Sequence, residues 1–292
     1  MAQESSSDVV LPEAGSRKAP KWVYVVVGIV ALVPVIYLGL PSGLQALGLH
    51  PSYEIPAFEL KGKRALVITT SHGTLGETGR ATGVFGSEMS VPYYAFLDAG
   101  MEVDIASIKG GEIPVEPYSM GWPLATPEDR RFTADAVAMD KIENSIPISQ
   151  IEPTTYDVYY MAGGWGAAYD LAQSATLAQL ITDANTNGKV LGSVCHGALG
   201  LVSARAEDGS PLLQGRTVTG VTDRQIRQLG IEVTPLHPET ELRKIGANFE
   251  ARTAWVDMAA THVVVDGNIV TGQNQNSGYE TSHRILELLE NH

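Results

Sequence analysis

The stretch KVLGSVCHGALGL, residues 189–201, places a cysteine between an apolar run and a helical pattern. The run 189–194 has the composition of a buried strand, and the residues after Gly197 predict a helix. Cys195 is the only cysteine in the 292 residues. A side chain on a tight strand-to-helix turn is pushed out of the sheet into a cleft, and small neighbours permit the turn. The stretch therefore predicts an α/β fold with an accessible thiol at the end of a strand.

Strand and helix patterns alternate through the rest of the chain from Lys61 onward. Strands are predicted at 64–70, 102–108, 156–164, 217–222 and 262–272, the last as a hairpin around Asp266–Gly267, and helices at 87–100, 170–188 and 277–291. The polar stretch 109–150 is expected to cover one edge. This alternation predicts a three-layer α/β sandwich around a mostly parallel sheet. Such sheets place their chemistry at the carboxyl ends of strands, which here are followed by SHG (71–73), AGGWG (162–166) and CHG (195–197).

The composition excludes several classes of function. The net charge of −13 comes from 33 acidic and 20 basic side chains, and an acidic protein repels phosphate backbones, so nucleic acid is not an expected partner. A single cysteine excludes an internal disulfide and a site with several thiolate ligands. The stretch 237–250 contains His237 and three glutamates, but its spacing matches no metal-ligand pattern and favours a solvated helical face. We expect neither a metal nor a cofactor.

The N-terminal part divides into segments of different composition. Residues 1–21 are polar and expected to be disordered, 22–40 are apolar, 41–60 form a proline-containing linker, and 61–292 form the α/β domain. The segment 22–40 has no charged residue, and as a helix it matches the ~30 Å hydrocarbon layer. A cleaved signal peptide and a buried core helix are the alternatives, but the apolar region of a signal peptide is only about 7–15 residues long. We expect a retained transmembrane anchor.

The distribution of basic residues predicts how this anchor is oriented. Arg17, Lys18 and Lys21 precede the apolar segment, and the next basic residue after it is Lys61. By the positive-inside rule, the N-terminus is then cytoplasmic and the main domain extracytoplasmic. The sequence thus predicts a single-pass membrane protein.

The position of Cys195 predicts a reactive thiol. A helix that begins near His196 points its first amides at the sulfur, and such dipoles favour thiolate over thiol. The alternative is a buried, unreactive cysteine, which is the commoner fate of this residue. The turn formed by Gly192, His196 and Gly197 favours the reactive thiol.

Three ordered motifs resemble a known family. LGSVCHGALGL (191–201), MAGGWGAAYDL (161–171) and the stretch 86–117, beginning GSEMSVPYY, are similar to the ThiJ/PfpI superfamily, also labelled class I glutamine amidotransferase-like. The likeness covers about residues 62–290, and the most similar branch holds glyoxalase-III-type and chaperone-type members. The resemblance implies a flavodoxin-like sandwich with Cys195 as nucleophile. The N-terminal anchor is not part of the family's usual pattern.

The resemblance also implies roles for neighbouring residues. Glu88 would lie beside the sulfur, where burial near a negative charge favours a protonated carboxyl; an acid favoured at a helix N-terminus is the alternative. His196 would act as general acid/base, oriented by a downstream acid. Relatives have a Glu near this point, whereas this chain has Asp223, which either substitutes for it or caps the next helix.

Further residues are expected to line the cleft. Gly163 and Gly164 have backbone N–H groups that can stabilise an oxyanion. Trp165 stands where many relatives have His, and an indole walls a pocket but does not shuttle protons. His72 either lines the cleft or is a turn histidine. Asn274 and Asn276 of the stretch 271–278 are expected to shape the rim.

The interpretation favoured mainly by this resemblance is an enzyme for reactive carbonyls. A Cys195 thiolate would attack a 2-oxoaldehyde such as methylglyoxal, and a base would move a proton through an enediol to give a hydroxy acid without glutathione. This is a glyoxalase-III-like lyase, anchored in the bilayer by residues 22–40. A redox sensor or stress chaperone using the same thiol, and a cysteine amidase or peptidase, remain as alternatives. The resemblance also implies a possible homodimer.

Overall fold

The protein is described by a computed structural model that covers residues 19–291. The α-helices of this range are α1 (Lys21–Ala46), α2 (Gly86–Asp98), α3 (Pro127–Ala134), α4 (Ala136–Glu143), α5 (Ala167–Asp170), α6 (Ala175–Thr186), α7 (Leu199–Val202), α8 (Asp223–Leu229), α9 (Pro238–Lys244) and α10 (Gly278–Glu290). The strands are β1 (Arg64–Thr69), β2 (Glu102–Ser107), β3 (Ile146–Pro147), β4 (Val158–Met161), β5 (Val190–Val194), β6 (Thr217–Val218), β7 (Asn248–Phe249), β8 (Val263–Asp266) and β9 (Ile269–Gly272).

A seven-stranded sheet with the order β3-β2-β1-β4-β5-β9-β8 forms the centre of the described residues. All neighbouring strands in it pair in parallel except β8 and β9, which form an antiparallel hairpin. The mostly parallel sheet and the hairpin around Asp266–Gly267 are therefore confirmed. The strand order reverses between β1 and β4, and ligands of open α/β sheets bind beyond the strand ends at such a reversal.

Helices cover both faces of the sheet, which gives the predicted three layers. Ala65 and Val67 of β1 belong to the core beneath α2 and α10. Leu66 and Ile68 belong to the core beneath α6 and α7. Successive side chains of a strand point to opposite faces, so a strand buried on both faces is apolar throughout. This explains why the sequence of β1 shows no alternation.

Three elements differ from the sequence prediction. The strand predicted at 217–222 is shorter, and as β6 it pairs with β7 in a separate two-stranded sheet. The helix predicted at 170–188 is shorter: α6 begins only at Ala175, where the Ser174 side chain caps its N-terminus, and Asp170 is the last residue of the separate helix α5. The stretch 109–150 is not a simple covering loop, since it contains α3, α4 and the edge strand β3. Short helices with strong local caps interrupt the apolar periodicity that sequence reasoning relies on.

Helix α1 contains the predicted apolar segment and continues past Leu40 to Ala46, with Pro34 and Pro41 inside it. None of its residues is buried, and it is long and apolar enough to cross a membrane by length and composition. The polar N-terminal residues, including Arg17 and Lys18, lie outside the described residues.

The segment between α1 and the sheet packs against the domain. The Tyr53 hydroxyl bonds to Nδ1 of His283 in α10 at 2.5 Å, and the Phe58 ring lies 5.6 Å from the same imidazole. The backbone N–H of Leu60 donates to the carbonyl of Ala99 at 2.7 Å. The predicted linker is thus partly a tether with fixed contacts.

Candidate active site

The carboxyl ends of β4 and β5 border a cleft at the point where the strand order reverses. Its volume is about 550 Å³. Helix α2, which follows β1 in the chain, directs its first turn into the same region. The cleft is lined by Arg80, Ala81, Phe85, Glu88, Glu116, Pro117, Tyr118, Ser119, Leu124, Gly164, Trp165, Cys195, Val221, Gln225, Leu229, Met258, Asn274 and Gln275. The thiol of Cys195 is therefore at the surface of an open cavity rather than sealed in the core.

Cys195 has an unusual backbone conformation. Its φ is +56°, in the left-handed region, although it is not a glycine. Such a conformation costs roughly 1–3 kcal/mol and persists only where the surroundings impose it, typically at functional sites. The residue begins a 3₁₀ turn, Cys195–Ala198, directly after β5, and is 7% exposed. The side chain thus lies on a sharp turn at the end of a strand, a position that directs it out of the sheet.

Close backbone packing around the turn requires glycine at Gly163 and Gly197. A Cβ at Gly163 would contact Oε2 of Glu88 and lie 2.7 Å from the carbonyl oxygen of Val194. A Cβ at Gly197 would overlap the carbonyl oxygen of Met161. Only hydrogen fits at these two positions, so the glycines let the ends of β4 and β5 approach.

Glu88 lies in the first turn of α2 and is 1% exposed. Burial raises the pKa of this carboxyl from 4.5 to about 8, although the Cys195 thiol and the amides of Gly163 and Gly164 favour its ionised form. Oε2 has no hydrogen-bond partner among the described residues. An unpaired buried carboxylate oxygen is costly, which also favours the protonated acid. At neutral pH Glu88 is therefore neutral and able to donate a hydrogen bond toward the sulfur.

The thiol itself is kept protonated in the resting cleft. Burial raises the pKa of Cys195, and a charge on Glu88 would raise it further. The backbone N–H groups of His196 and Gly164 act in the opposite direction. The helix dipole that was expected to favour the thiolate is weak here, because α7 is a single short turn. Only these local amides face the sulfur. The thiolate must consequently form when a neighbouring base takes the proton.

His196 is a base in contact with the thiol. Its Nδ1 lies 3.5 Å from Sγ of Cys195. Burial lowers the pKa of His196 from 6.5 to about 3, with a smaller contribution from His237. The imidazole is therefore neutral at physiological pH. Within residues 19–291 its Nε2 has no hydrogen-bond partner, so no carboxylate orients the ring in the described site.

Asp223 occupies the first position of α8 and makes other contacts. Its Oδ2 accepts a hydrogen bond from the Thr240 hydroxyl at 2.7 Å, and its backbone N–H donates to Glu239. The capping role belongs to Thr222, whose side chain accepts from the backbone N–H of Gln225. The structure thus places Asp223 at a helix junction, without a hydrogen bond to His196.

The structure divides the other predicted cleft residues into two groups. Trp165 and Asn274 line the cleft, and the Arg80 guanidinium lies 5.8 Å from the Trp165 ring. His72 is not at the cleft surface, because its ring stacks on Tyr169 at 4.1 Å and Nε2 bonds to the carbonyl of Thr74. This location corrects the expectation that His72 lines the cleft, and favours the turn histidine.

The amides of the predicted oxyanion site also have distinct neighbours. The amide of Gly163 lies at the Glu88 carboxyl, whereas that of Gly164 lies at both the carboxyl and the thiol. The amides that face the sulfur are therefore those of Gly164 and His196. Preorganised N–H groups of this kind stabilise negative charge on a reacting sulfur or oxygen.

Several cleft residues were not predicted from the sequence. They come from the loop 116–124, from the stretch before α2 and from the regions 221–229 and 258–275. No motif marks them, because loop side chains meet only through tertiary packing. His237 was assigned to a solvated face, yet it is near enough to lower the pKa of His196. Among residues 19–291, no group of three or more His, Cys, Asp or Glu side chains is arranged to hold a metal ion.

The chain is similar in sequence to a described family and to curated proteins. A model of the DJ-1/PfpI family matches residues 80–288. The probable glutathione-independent glyoxalase HSP32 of Saccharomyces cerevisiae is 30% identical over 240 residues, a match that covers 78% of this chain and 98% of the yeast protein. Most of the α/β domain thus has a counterpart in the yeast protein.

Solved structures show the same architecture. The Rapid Encystment Protein 24 kDa of Francisella tularensis has a TM-score of 0.73 and 29% identity, and the match covers 78% of this chain and 99% of that one. Glyoxalase III of Candida albicans has a TM-score of 0.70 and 25% identity, over 77% of this chain and 96% of that one. The predicted flavodoxin-like sandwich is confirmed.

Proposed function

The chain belongs to the DJ-1/PfpI family, and we propose that it is a glutathione-independent glyoxalase-type enzyme in which Cys195 is the nucleophile. The observation that supports this most is the grouping of three side chains: the Cys195 thiol and the protonated Glu88 carboxyl line an open cleft, and the neutral imidazole of the buried His196 contacts the thiol. Nucleophile, base and proton donor are the groups that conversion of a 2-oxoaldehyde to a 2-hydroxy acid requires.

In the first step the sulfur attacks the aldehyde carbon. The thiol proton passes to Nδ1 of His196, which is neutral and 3.5 Å from the sulfur. The new C–S bond gives a hemithioacetal, and the former carbonyl oxygen takes up this proton from His196, which returns to its neutral form. The amides of Gly164 and His196, which face the sulfur, stabilise the negative charge as it moves from sulfur to oxygen.

In the second step a proton moves between the two substrate carbons. A base removes the hydrogen of the hemithioacetal carbon, which leaves an enediol, and a proton then adds to the neighbouring carbon. The product is a thioester of the 2-hydroxy acid on Cys195. Water hydrolyses the thioester, which restores the thiol and releases the acid. Glu88 and His196 are the groups placed to exchange these protons, because both contact Cys195.

The test uses the full-length protein in detergent with methylglyoxal and no glutathione, and follows lactate. We expect Cys195→Ala to abolish turnover, and His196→Ala or Glu88→Gln to lower kcat/KM by roughly 10²- to 10⁴-fold. Gly278→Ala serves as a control, since a Cβ there meets only Val91 at 3.9 Å. Absence of lactate in the wild type, together with rapid oxidation of Cys195 by peroxide, would support a redox sensor and overturn the enzyme.

We also propose that α1 anchors the protein in a membrane as a single span with the α/β domain extracytoplasmic. Its length, its apolar composition and the lack of any buried residue in it support the anchor, and the basic residues before it support the orientation. The protein is expected to stay in membranes after alkaline carbonate washing, and its domain to be digested by protease added outside intact cells. Extraction by carbonate would contradict the anchor, and protection from protease would contradict the orientation.

A further inference from the structure

The cleft is larger than methylglyoxal requires. Cavities of roughly 300–1,000 Å³ hold drug-sized ligands, and this one measures about 550 Å³. Glu88 lies beside the sulfur, and six further polar side chains share the lining with a larger set of apolar ones. The apolar wall consists of Ala81, Phe85, Pro117, Tyr118, Leu124, Trp165, Val221, Leu229 and Met258. Such a surface fits a hydrocarbon chain attached to the reacting carbonyl.

One wall of the cleft is a loop with exposed apolar side chains. This rim loop, residues 117–124, exposes Tyr118 by 84%, Trp122 by 47% and Leu124 by 43%. Tyr118 and Leu124 also line the cleft, whereas Trp122 does not. Contiguous exposed apolar side chains mark contact with another apolar phase or partner.

The rim loop contacts the proposed membrane helix. The Trp122 ring stacks on Tyr37 of α1, with ring centroids 5.3 Å apart and planes inclined by 13°. The indole N–H of Trp122 donates to the carbonyl oxygen of Tyr37 at 3.1 Å. In a helix this carbonyl would accept from the N–H four residues later, but that residue is Pro41, which has none. Trp122 therefore satisfies a backbone group that the helix itself leaves free.

The contact between Trp122 and Tyr37 fixes the position of the cleft mouth relative to the proposed bilayer. Tyr37 lies near the end of the apolar segment of α1, and Trp and Tyr rings favour the headgroup region of a bilayer. The imidazole of His50, beyond the end of α1, bonds to the carbonyl of Leu124 at 3.1 Å and fixes the other end of the rim loop. With α1 in a membrane, the rim loop lies at the bilayer surface, and the cleft opens beside it.

We infer that the enzyme acts on 2-oxoaldehydes that have an alkyl chain and that it takes them from the bilayer surface through the rim loop. This inference rests on the proposed function, and it specifies the substrate class of the same site. The balance of the reaction is unchanged, since one 2-oxoaldehyde and one water give one 2-hydroxy acid. The chain lies along the apolar wall, while the carbonyl carbons reach Cys195. The charged product is more soluble in water than the substrate, which favours its release.

The test compares two substrates with full-length protein in phosphatidylcholine vesicles. The expected kcat/KM for 2-oxododecanal exceeds that for methylglyoxal by at least about tenfold, because each methylene buried in an apolar pocket adds to binding. Equal or lower kcat/KM for 2-oxododecanal, with methylglyoxal still converted, overturns this inference alone. Conversion of neither substrate overturns the proposed function as well.

A pair of tryptophan variants tests delivery from the bilayer. Trp122→Ala removes the contact with α1 but no cleft-lining side chain, so methylglyoxal conversion is expected to change by less than about twofold while the advantage of 2-oxododecanal falls about tenfold. Trp255→Ala is the matched control, since Trp255 is 75% exposed and is not part of the cleft. Delivery through the rim loop is overturned if Trp122→Ala leaves the ratio of kcat/KM for 2-oxododecanal to that for methylglyoxal unchanged. It is also overturned if Trp255→Ala lowers this ratio as much as Trp122→Ala does.

Discussion

At the scale of single residues, the site depends on two side chains held in costly states. Cys195 has a left-handed backbone, and Glu88 is a carboxyl almost without exposure. Neither state is favourable in isolation, and the packed surroundings impose both. A buried acid beside a thiol is useful to catalysis because it donates a proton without competing for negative charge.

The raised pKa of Glu88 has a consequence for stability. Between pH 4.5 and 8 the unfolded chain loses this proton while the folded protein keeps it, so stability falls as pH rises. Glutamine imitates the protonated acid, so Glu88→Gln is expected to stabilise the protein by about 3 kcal/mol at pH 7 and by little below pH 4.5. Urea unfolding of the full-length protein in detergent at several pH values measures this. A stabilisation independent of pH would contradict the neutral acid.

Gly163 tests the packing that holds the acid. Alanine at this position displaces the Glu88 carboxyl and crowds the His196 amide, which would lie 2.8 Å from the new Cβ. We expect Gly163→Ala to lower kcat/KM by at least about 10²-fold, because small displacements at a reacting centre have effects of this size. Steady-state turnover measures it, with Gly278→Ala as the control. Activity within a factor of three of wild type would show that catalysis does not depend on the placement of the Glu88 carboxyl next to Gly163.

At the scale of elements, helix α2 orients Glu88 and is itself fixed by its neighbours. The N–H of Gly86 donates to Ser119 Oγ at 3.0 Å, and the Ser90 hydroxyl donates to Asp129 at 2.6 Å. Asp129 also completes the capping box of α3 with Thr126. The stretch 109–150, whose helices the sequence did not reveal, therefore positions the first turn of α2.

Removal of the Asp129 side chain should loosen this arrangement. Asp129→Ala deletes a capping interaction and leaves the buried Ser90 hydroxyl without its partner, so a loss of about 2–3 kcal/mol is expected. Urea unfolding in detergent measures it, and Asp140→Ala, on the exposed surface of α4, is the control. Equal stability of the two variants would mean that the α2–α3 contact contributes little.

At the scale of the whole molecule, an acidic α/β domain is joined to an apolar helix by a segment that packs on α10. The apolar helix α1 also contacts the rim of the cleft, because its Tyr37 stacks on Trp122 of the rim loop. The proposed active site and the proposed membrane anchor therefore lie on one side of the protein. Nothing in the described residues tests the expected homodimer, which stays a prediction.

Charges placed in α1 test the anchor. Val30 and Val33 lie inside the apolar segment and are 66% and 57% exposed, so they face lipid in the proposed arrangement. Each arginine near the middle of a span costs about 2.5–3.5 kcal/mol on insertion scales. Val30→Arg with Val33→Arg is expected to move most of the protein into the carbonate-soluble fraction, whereas leucine at both positions leaves it in the membrane. Retention of the arginine variant would argue against a spanning helix.

The sequence alone determined the fold class, the apolar segment and the thiol on its turn, because these depend on local periodicity, on hydropathy and on glycines beside Cys195. It also indicated the two glycines after β4 through their place at a strand end, and Glu88 through family resemblance. Only the tertiary structure decided that His72 and Asp223 face other partners, that burial keeps the thiol protonated, and that the rim loop forms one cleft wall. The reason is physical: desolvation and contact between distant loops depend on the packed chain, and no single stretch of sequence encodes them.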